Sequence, residues 1–193
     1  MPINQTANVT TALVEAYGIA TEKRNEFITP EHLLAGFLLN QDFWGALDKC
    51  GRAEEELEEK LYEYINSLDR VPEGTELSIE FSSQLKELFE TAADAATNAM
   101  SEMIRTHHLI YAIFQLEDSY ARFHLESCLE FSIPDFLNGV VGLNSISNDT
   151  GLAGSNILLH EVQSSTAGVF ATAQQHSALG DHILNMDIDC RCI

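Results

Sequence analysis

The sequence predicts an all-α protein of two tandem four-helix repeats with pseudo-twofold symmetry, followed by a poorly structured tail. Three observations lead to this prediction. Apolar residues recur at helical spacing through the first three quarters of the chain. A motif from residues 27–34 returns 76 positions later. The composition changes near residues 145–154, where SISNDTGLAGS is typical of turns and linkers.

Three apolar stripes predict the longer helices, because residues three and four apart share a helix face. The sequence also predicts where one helix begins and where the two halves of the domain are separated. Thr29-Pro30-Glu31 combines a capping residue, a proline suited to the first helical position and an acid suited to the positive helix end. The segment 69–75, DRVPEGT, interrupts the helical pattern between the halves. The stripes are Val9, Leu13, Ala16, Tyr17 and Ala20; Leu57, Leu61, Tyr64, Ile65 and Leu68; and Leu85, Leu88, Phe89, Ala92, Ala96 and Ala99.

The internal repeat is the strongest signal. Residues 27–34, FITPEHLL, align with residues 103–110, MIRTHHLI, so that Ile, His and Leu recur identically and apolar positions stay apolar. Each half is predicted to contain a long helix followed by three shorter ones. A repeat that cannot bury its own apolar face packs against its copy. We therefore predict one domain over residues 1–146, with repeats at about 5–68 and 80–142, and a linker and tail over 147–193.

Composition excludes several classes of function. The 193 residues carry 30 acidic and 10 basic side chains, a net charge of −20, of which −16 lies in residues 1–146. This charge disfavours nucleic acids and anionic membranes as partners. The sequence contains no apolar run long enough to span a membrane and no secretion signal at its first residues. These features predict a cytoplasmic protein.

The paired motifs resemble the N-terminal domain of the Clp/AAA+ unfoldases, the Clp repeat domain. Residues 26–34, EFITPEHLL, and 104–112, IRTHHLIYA, carry the resemblance, which extends over about residues 5–142 and is greatest to the ClpA type. It implies the Clp N-domain fold and a non-enzymatic role in protein quality control: docking ClpS-like adaptors or protein substrates for an unfoldase. A ClpP-type protease is then a partner only indirectly, through an ATPase ring.

The resemblance also implies roles for individual residues. Two acidic positions that hold the adaptor in ClpA-type domains fall on Glu26 and Glu31. In ClpC-type relatives the Glu before the motif His binds phosphoarginine; Glu31 keeps that position, whereas His107 replaces the second. The motif residues His32 and His108 are predicted to be packed structurally, with ring nitrogens bonded to backbone, because nothing at metal or nucleophile spacing accompanies them.

No cofactor and no enzyme activity are expected. A phosphate-binding loop needs a Gly-rich turn followed by Lys and Ser or Thr, and no Lys here follows a Gly. The lack of that loop suggests a ClpA-like gene truncated or frame-shifted before its ATPase modules. Two alternatives stay open. One is a stand-alone accessory or regulatory subunit that competes for adaptors or docks on a Clp protease complex. The other is a metal-dependent enzyme that uses tail residues His176, His182, Asp187, Cys190 and Cys192.

Further predictions concern single positions outside the motifs. The repeat-equivalent Cys50 and Cys128 are expected to be buried. Phe43 and Trp44 are expected to be partly core, with peptide capture by exposed aromatics as the alternative. The glutamate-rich run at residues 54–59 is expected to be a solvated helix face in which Glu56 pairs with Lys60.

Overall fold

The computed structural model describes residues 4–49, 54–129 and 132–146. These residues form eight helices and four two-residue strands, so the all-α prediction is confirmed for the bulk of the domain. Cys50 and the predicted tail, residues 147–193, lie outside the described residues. The helices are α1 (Ala7–Lys23), α2 (Pro30–Phe37), α3 (Gln41–Lys49), α4 (Glu54–Ser67), α5 (Ser83–Asn98), α6 (Thr106–Gln115), α7 (Tyr120–Cys128) and α8 (Ile133–Ile146). The strands are β1 (Asn4–Gln5), β2 (Phe27–Ile28), β3 (Glu80–Phe81) and β4 (Met103–Ile104).

The two repeats are related element by element, and they interlock. Helices α1–α4 correspond to α5–α8, and equivalent contacts recur in both halves: α1 packs on α2 as α5 packs on α6. The later contacts cross between repeats, since α4 packs on α7 and α3 packs on α8. Each repeat thus completes the core of the other, as expected for a unit that cannot bury its own apolar face.

The short strands, which the helical pattern did not predict, also join the repeats. β1 pairs in parallel with β4, and β2 pairs in parallel with β3. Each strand directly precedes a helix, so the two pairs fix where four helices begin. The sequence did not predict these strands, because a strand of two residues is too short to display an alternating pattern.

The predicted apolar stripes form the core. Val9, Leu13, Ala16 and Ala20 of α1 are buried, as are Leu57, Leu61 and Ile65 of α4 and Leu85, Leu88, Phe89, Ala92 and Ala96 of α5. Cys128 is buried as expected, and Phe43 is buried, whereas Trp44 is 42% exposed. Three rings from different elements meet in this core: Phe43 lies 6.0 Å from Phe37 and 5.8 Å from Phe136, measured between ring centroids.

Helices α1 and α2 cross at a glycine. A Cβ built on Gly36 would lie 2.3 Å from the carbonyl oxygen of Ala12 in α1. The backbones approach closely because position 36 carries no side chain. This contact sets how closely α2, which carries most of the repeat motif, packs against α1.

The segment between the repeats is held by Arg24, which follows α1 in the left-handed conformation with φ of 56°. Its guanidinium donates hydrogen bonds of 2.8 Å to the carbonyl oxygens of Val71, Pro72 and Thr75. In return the N–H of Val71 donates to the Arg24 carbonyl oxygen at 2.8 Å. The predicted break at residues 69–75 is confirmed as non-helical, and it is fastened to the end of α1.

Candidate functional site

The motif histidine of the first repeat is hydrogen-bonded through both ring nitrogens. His32 is fully buried, and its Nδ1 accepts a hydrogen bond of 3.2 Å from the N–H of Thr29, the residue that precedes α2. Because Nδ1 accepts, the proton of the neutral ring lies on Nε2, which donates to Asn25 Oδ1 at 3.2 Å. The Asn25 amide donates to the carbonyl oxygen of Asp69 at 3.1 Å. Burial lowers the pKa of His32 to about 4, so the ring is neutral at pH 7.

The second repeat copies only half of this arrangement. His108 Nδ1 accepts from the N–H of Arg105 at 3.0 Å, so this histidine also bonds backbone. Its Nε2 is buried and finds no partner among the described residues. The position that corresponds to Asn25 is Ser101, whose hydroxyl donates instead to the carbonyl oxygen of Met103 at 2.8 Å. The shorter side chain explains why the second histidine lacks the bond that the first one makes.

Glu31, which the resemblance marks as an adaptor contact, lies inside the protein. It is 2% exposed, and its Oε1 accepts a hydrogen bond of 3.0 Å from the N–H of Ala121 near the start of α7. The first turn of a helix has N–H groups without helical partners, and a carboxylate there is stabilised by the helix dipole. Glu31 therefore joins α2 of one repeat to α7 of the other. Contact between Glu31 and a partner stays a prediction, and in this structure the carboxylate is buried and engaged by Ala121.

His107, which replaces the second motif glutamate, is 8% exposed, and its ring lies 4.1 Å from that of His108. Its Nδ1 has no hydrogen-bond partner among the described residues. Burial, and secondarily the charge of Arg105, lower the pKa of His107 to about 4. A neutral, buried ring at this position carries no charge to recognise a guanidinium.

Glu26 lies at the surface, as a docking residue must. It precedes β2, and its carbonyl oxygen accepts a hydrogen bond of 2.9 Å from the N–H of Glu80 in β3. Glu26 and Glu80 are both exposed, and the Phe27 ring beside them is 44% exposed. We call these three residues, Glu26, Phe27 and Glu80, the β2–β3 surface. It combines two exposed acidic residues with an exposed aromatic residue on paired strands, whereas the nearby Arg24 guanidinium is occupied by backbone carbonyls.

Metal sites and membrane spans are both absent from the part of the chain that the structure describes. No group of three His, Cys, Asp or Glu side chains in residues 4–49, 54–129 and 132–146 could hold a metal ion. Within the same residues, no helix is long and apolar enough to cross a membrane. The tail residues His176, His182, Asp187, Cys190 and Cys192, considered as metal ligands, lie outside the described part.

Interlocked four-helix repeats, crossing strand pairs and a buried capping histidine in each repeat together define a recognisable architecture. The protein-family model described as Clp repeat (R) N-terminal domain matches residues 4–128. The chain belongs to this Clp repeat family. Comparison with curated proteins returns no match.

Solved structures of Clp N-terminal domains share the fold. The Hsp104 N-terminal domain from Candida albicans superposes with a TM-score of 0.61 at 16% identity, over 73% of this chain and 91% of that one. The N-terminal domain of ClpD from Arabidopsis thaliana gives 0.56 at 17% identity, over 75% and 97%. The N-terminal domain of the ClpV1 ATPase from E. coli gives 0.57 at 18% identity, over 74% and 85%. At these identities the likeness establishes the fold alone, and the predicted Clp N-domain fold is confirmed.

Proposed function

We propose that this Clp repeat domain is a non-enzymatic docking module that receives adaptor or substrate proteins for a Clp-type unfoldase. The observation that supports it is the β2–β3 surface, where the exposed Glu26 and Glu80 adjoin Phe27, whose side chain is 44% exposed, along the paired strands of a Clp N-domain fold. Carboxylates accept charge-assisted hydrogen bonds from Lys or Arg, and aromatic rings are enriched at protein interfaces. The preferred partner is a protein with a basic contact region.

We also propose that the domain is of the ClpA type, that it acts in the cytoplasm, and that a ClpS-like adaptor is its first candidate partner. A ClpP-type protease would take part only through an ATPase ring. Glu26 is the proposed direct contact. Glu31 is proposed to act indirectly, by holding α7 in place, because its carboxylate is engaged by Ala121.

A charge reversal at Glu26 tests the contact. Titration calorimetry of the full chain with a purified ClpS-type adaptor should give weaker binding for Glu26→Lys by about tenfold or more, the loss expected for a charged hydrogen bond. Glu90→Lys, the same reversal on an exposed position of α5, is the matched control and should bind as the wild type does. Glu31→Lys is unsuitable, because it would bury a cation and disturb folding.

Two results would contradict the proposal. Equal affinity of wild type and Glu26→Lys for a bound adaptor would exclude Glu26 as a contact. Hydrolysis of ATP by the purified chain, measured as phosphate release, would contradict the non-enzymatic role. The adaptor titration and the hydrolysis assay test separate parts of the proposal.

A further inference from the structure

Four rings form a continuous surface where α4 of the first repeat meets α7 of the second. Tyr64 and Tyr120 stack with centroids 4.4 Å apart and planes 29° from parallel. Tyr120 lies 6.1 Å from His124, and His124 lies 5.4 Å from Phe123. We call Tyr64, Tyr120, Phe123 and His124 the α4–α7 ring surface. It shares no residue with the β2–β3 surface.

The outer rings of this surface face solvent. Tyr120 is 53% exposed and Phe123 is 64% exposed, while Tyr64 and His124 are half-buried. Scattered exposed rings are ordinary, whereas adjoining ones create an apolar patch of the kind that marks interaction sites. Tyrosine suits such sites because it offers a large flat face at a low cost in side-chain entropy.

The backbone beneath the rings is firmly held. Glu31 accepts from the N–H of Ala121, and the Ser119 hydroxyl accepts from the N–H of Arg122 at 3.4 Å. The Arg122 guanidinium donates to the carbonyl oxygen of Leu116 at 3.2 Å, tying α7 to the end of α6. A surface that is already ordered loses little entropy on binding.

The charge around the rings is negative. Among the described residues of α4 and α7, Lys60 pairs with Glu56 and Arg122 with Glu126, each at 2.8 Å, so both cations are neutralised within their own helices. Glu63 on α4 is exposed, and so are Glu117 and Asp118, which lie just before Tyr120 in the chain. Burial, followed by the charge of Lys60, lowers the pKa of His124, which disfavours the charged imidazolium at this surface.

We propose that the α4–α7 ring surface binds a polypeptide segment in which an arginine or lysine lies beside an apolar side chain. The cation would lie over a tyrosine face and near an exposed carboxylate of Glu63, Glu117 or Asp118, an arrangement stabilised by cation–π and charge attraction. The apolar neighbour would cover Phe123. The same three carboxylates would repel an acidic segment. This contact is independent of the one proposed at the β2–β3 surface.

Fluorescence anisotropy of short labelled peptides on the full chain tests the proposal. A peptide of alternating Arg and Leu should bind, and Phe123→Ala and Tyr120→Ala should each weaken it by about threefold to tenfold. Peptides with Glu in place of Arg, or Ser in place of Leu, should bind more weakly. Leu39→Ala, at an exposed apolar position outside both surfaces, is the matched control and should leave the affinity unchanged.

Three outcomes would contradict peptide binding at the α4–α7 ring surface. Failure of the Arg–Leu peptide to bind, equal binding of the Glu–Leu peptide, or full affinity in Phe123→Ala would overturn it. Loss in Phe27→Ala alone would move the site to the β2–β3 surface. Phe123 is 64% exposed and is not one of the two stacked tyrosines, so Phe123→Ala remains informative if Tyr120→Ala disturbs folding. Because the adaptor titration depends on Glu26, either proposal can fail without the other.

Discussion

The Oε1 atom of Glu31 lies 3.0 Å from the backbone nitrogen of Ala121, and this hydrogen bond joins residues 90 positions apart. It connects the motif of the first repeat to the first turn of α7 in the second. Ala121 follows Tyr120, so the same bond holds the start of the helix that carries three of the four rings of the α4–α7 ring surface. An acid that resembles an adaptor contact is, in this chain, a tie between the repeats.

Removal of this tie should destabilise the domain. Glu31→Ala leaves the Ala121 N–H buried without its acceptor, and we expect the free energy of unfolding to fall by about 1–3 kcal/mol. Glu31→Gln keeps an oxygen acceptor and should lose less. Urea denaturation measures both, with the exposed Glu63→Ala as a control expected to change stability by less than about 0.5 kcal/mol. Equal losses for the Ala and Gln variants would show that the acceptor is not what matters.

The close crossing of α1 and α2 predicts opposite effects for two glycines. Gly36→Ala should lower the free energy of unfolding by about 1–3 kcal/mol, because the new methyl group meets the Ala12 carbonyl. Gly18 lies on the exposed side of α1, and a Cβ added there would meet nothing within 4 Å. Gly18→Ala should stabilise the domain by up to about 1 kcal/mol. Thermal unfolding of the pair distinguishes them, and a stabilising Gly36→Ala would contradict the close contact between the two helices.

The buried histidines predict a loss of stability in mild acid. Burial lowers the pKa of His32 and of His107 to about 4, and that of His108 to about 3, from 6.5. Below pH 6.5 the unfolded chain therefore binds protons that the folded chain excludes. The histidine contribution is complete above pH 6.5 and is lost as the pH falls towards 4, with about 1.4 kcal/mol for each unit of pKa difference.

Urea denaturation across this pH range measures the effect, and His107→Leu isolates it. The variant lacks one of the three histidines and should lose less stability between about pH 6.5 and pH 4. Its stability at neutral pH should be little changed, since the Nδ1 of His107 has no partner among the described residues. An unchanged pH dependence in His107→Leu would assign the acid response to other groups.

The unequal histidine networks predict unequal costs for two small substitutions. Asn25→Ala removes the acceptor of the His32 Nε2–H and the donor to the Asp69 carbonyl, and should destabilise the domain by about 1–3 kcal/mol. Ser101→Ala, at the equivalent position, removes only local bonds to Met103 and should cost less. Chemical denaturation compares the two. A loss as large in Ser101→Ala would mean that His108 depends on Ser101 after all.

Local periodicity accounts for the accurate predictions. The helical stripes were readable because burial of one helix face repeats every three to four residues, and the start of α2 was readable because Thr29 and Pro30 act within one turn. Asn25 was missed, although a polar residue just before a motif whose histidine needs a second hydrogen-bond partner was an available signal.

The sequence by itself determined the helices, the internal duplication and the negative net charge, because each follows from local residue spacing or from composition. Only the tertiary structure decided which acids face solvent. Glu26 and Glu31 are five residues apart and equally charged, yet one lies at a strand edge and the other against the first turn of α7. The stack of Tyr64 on Tyr120 was likewise beyond the sequence, since it depends on how two repeats interlock. Contacts between distant segments follow from the geometry of packing, and no local pattern encodes them.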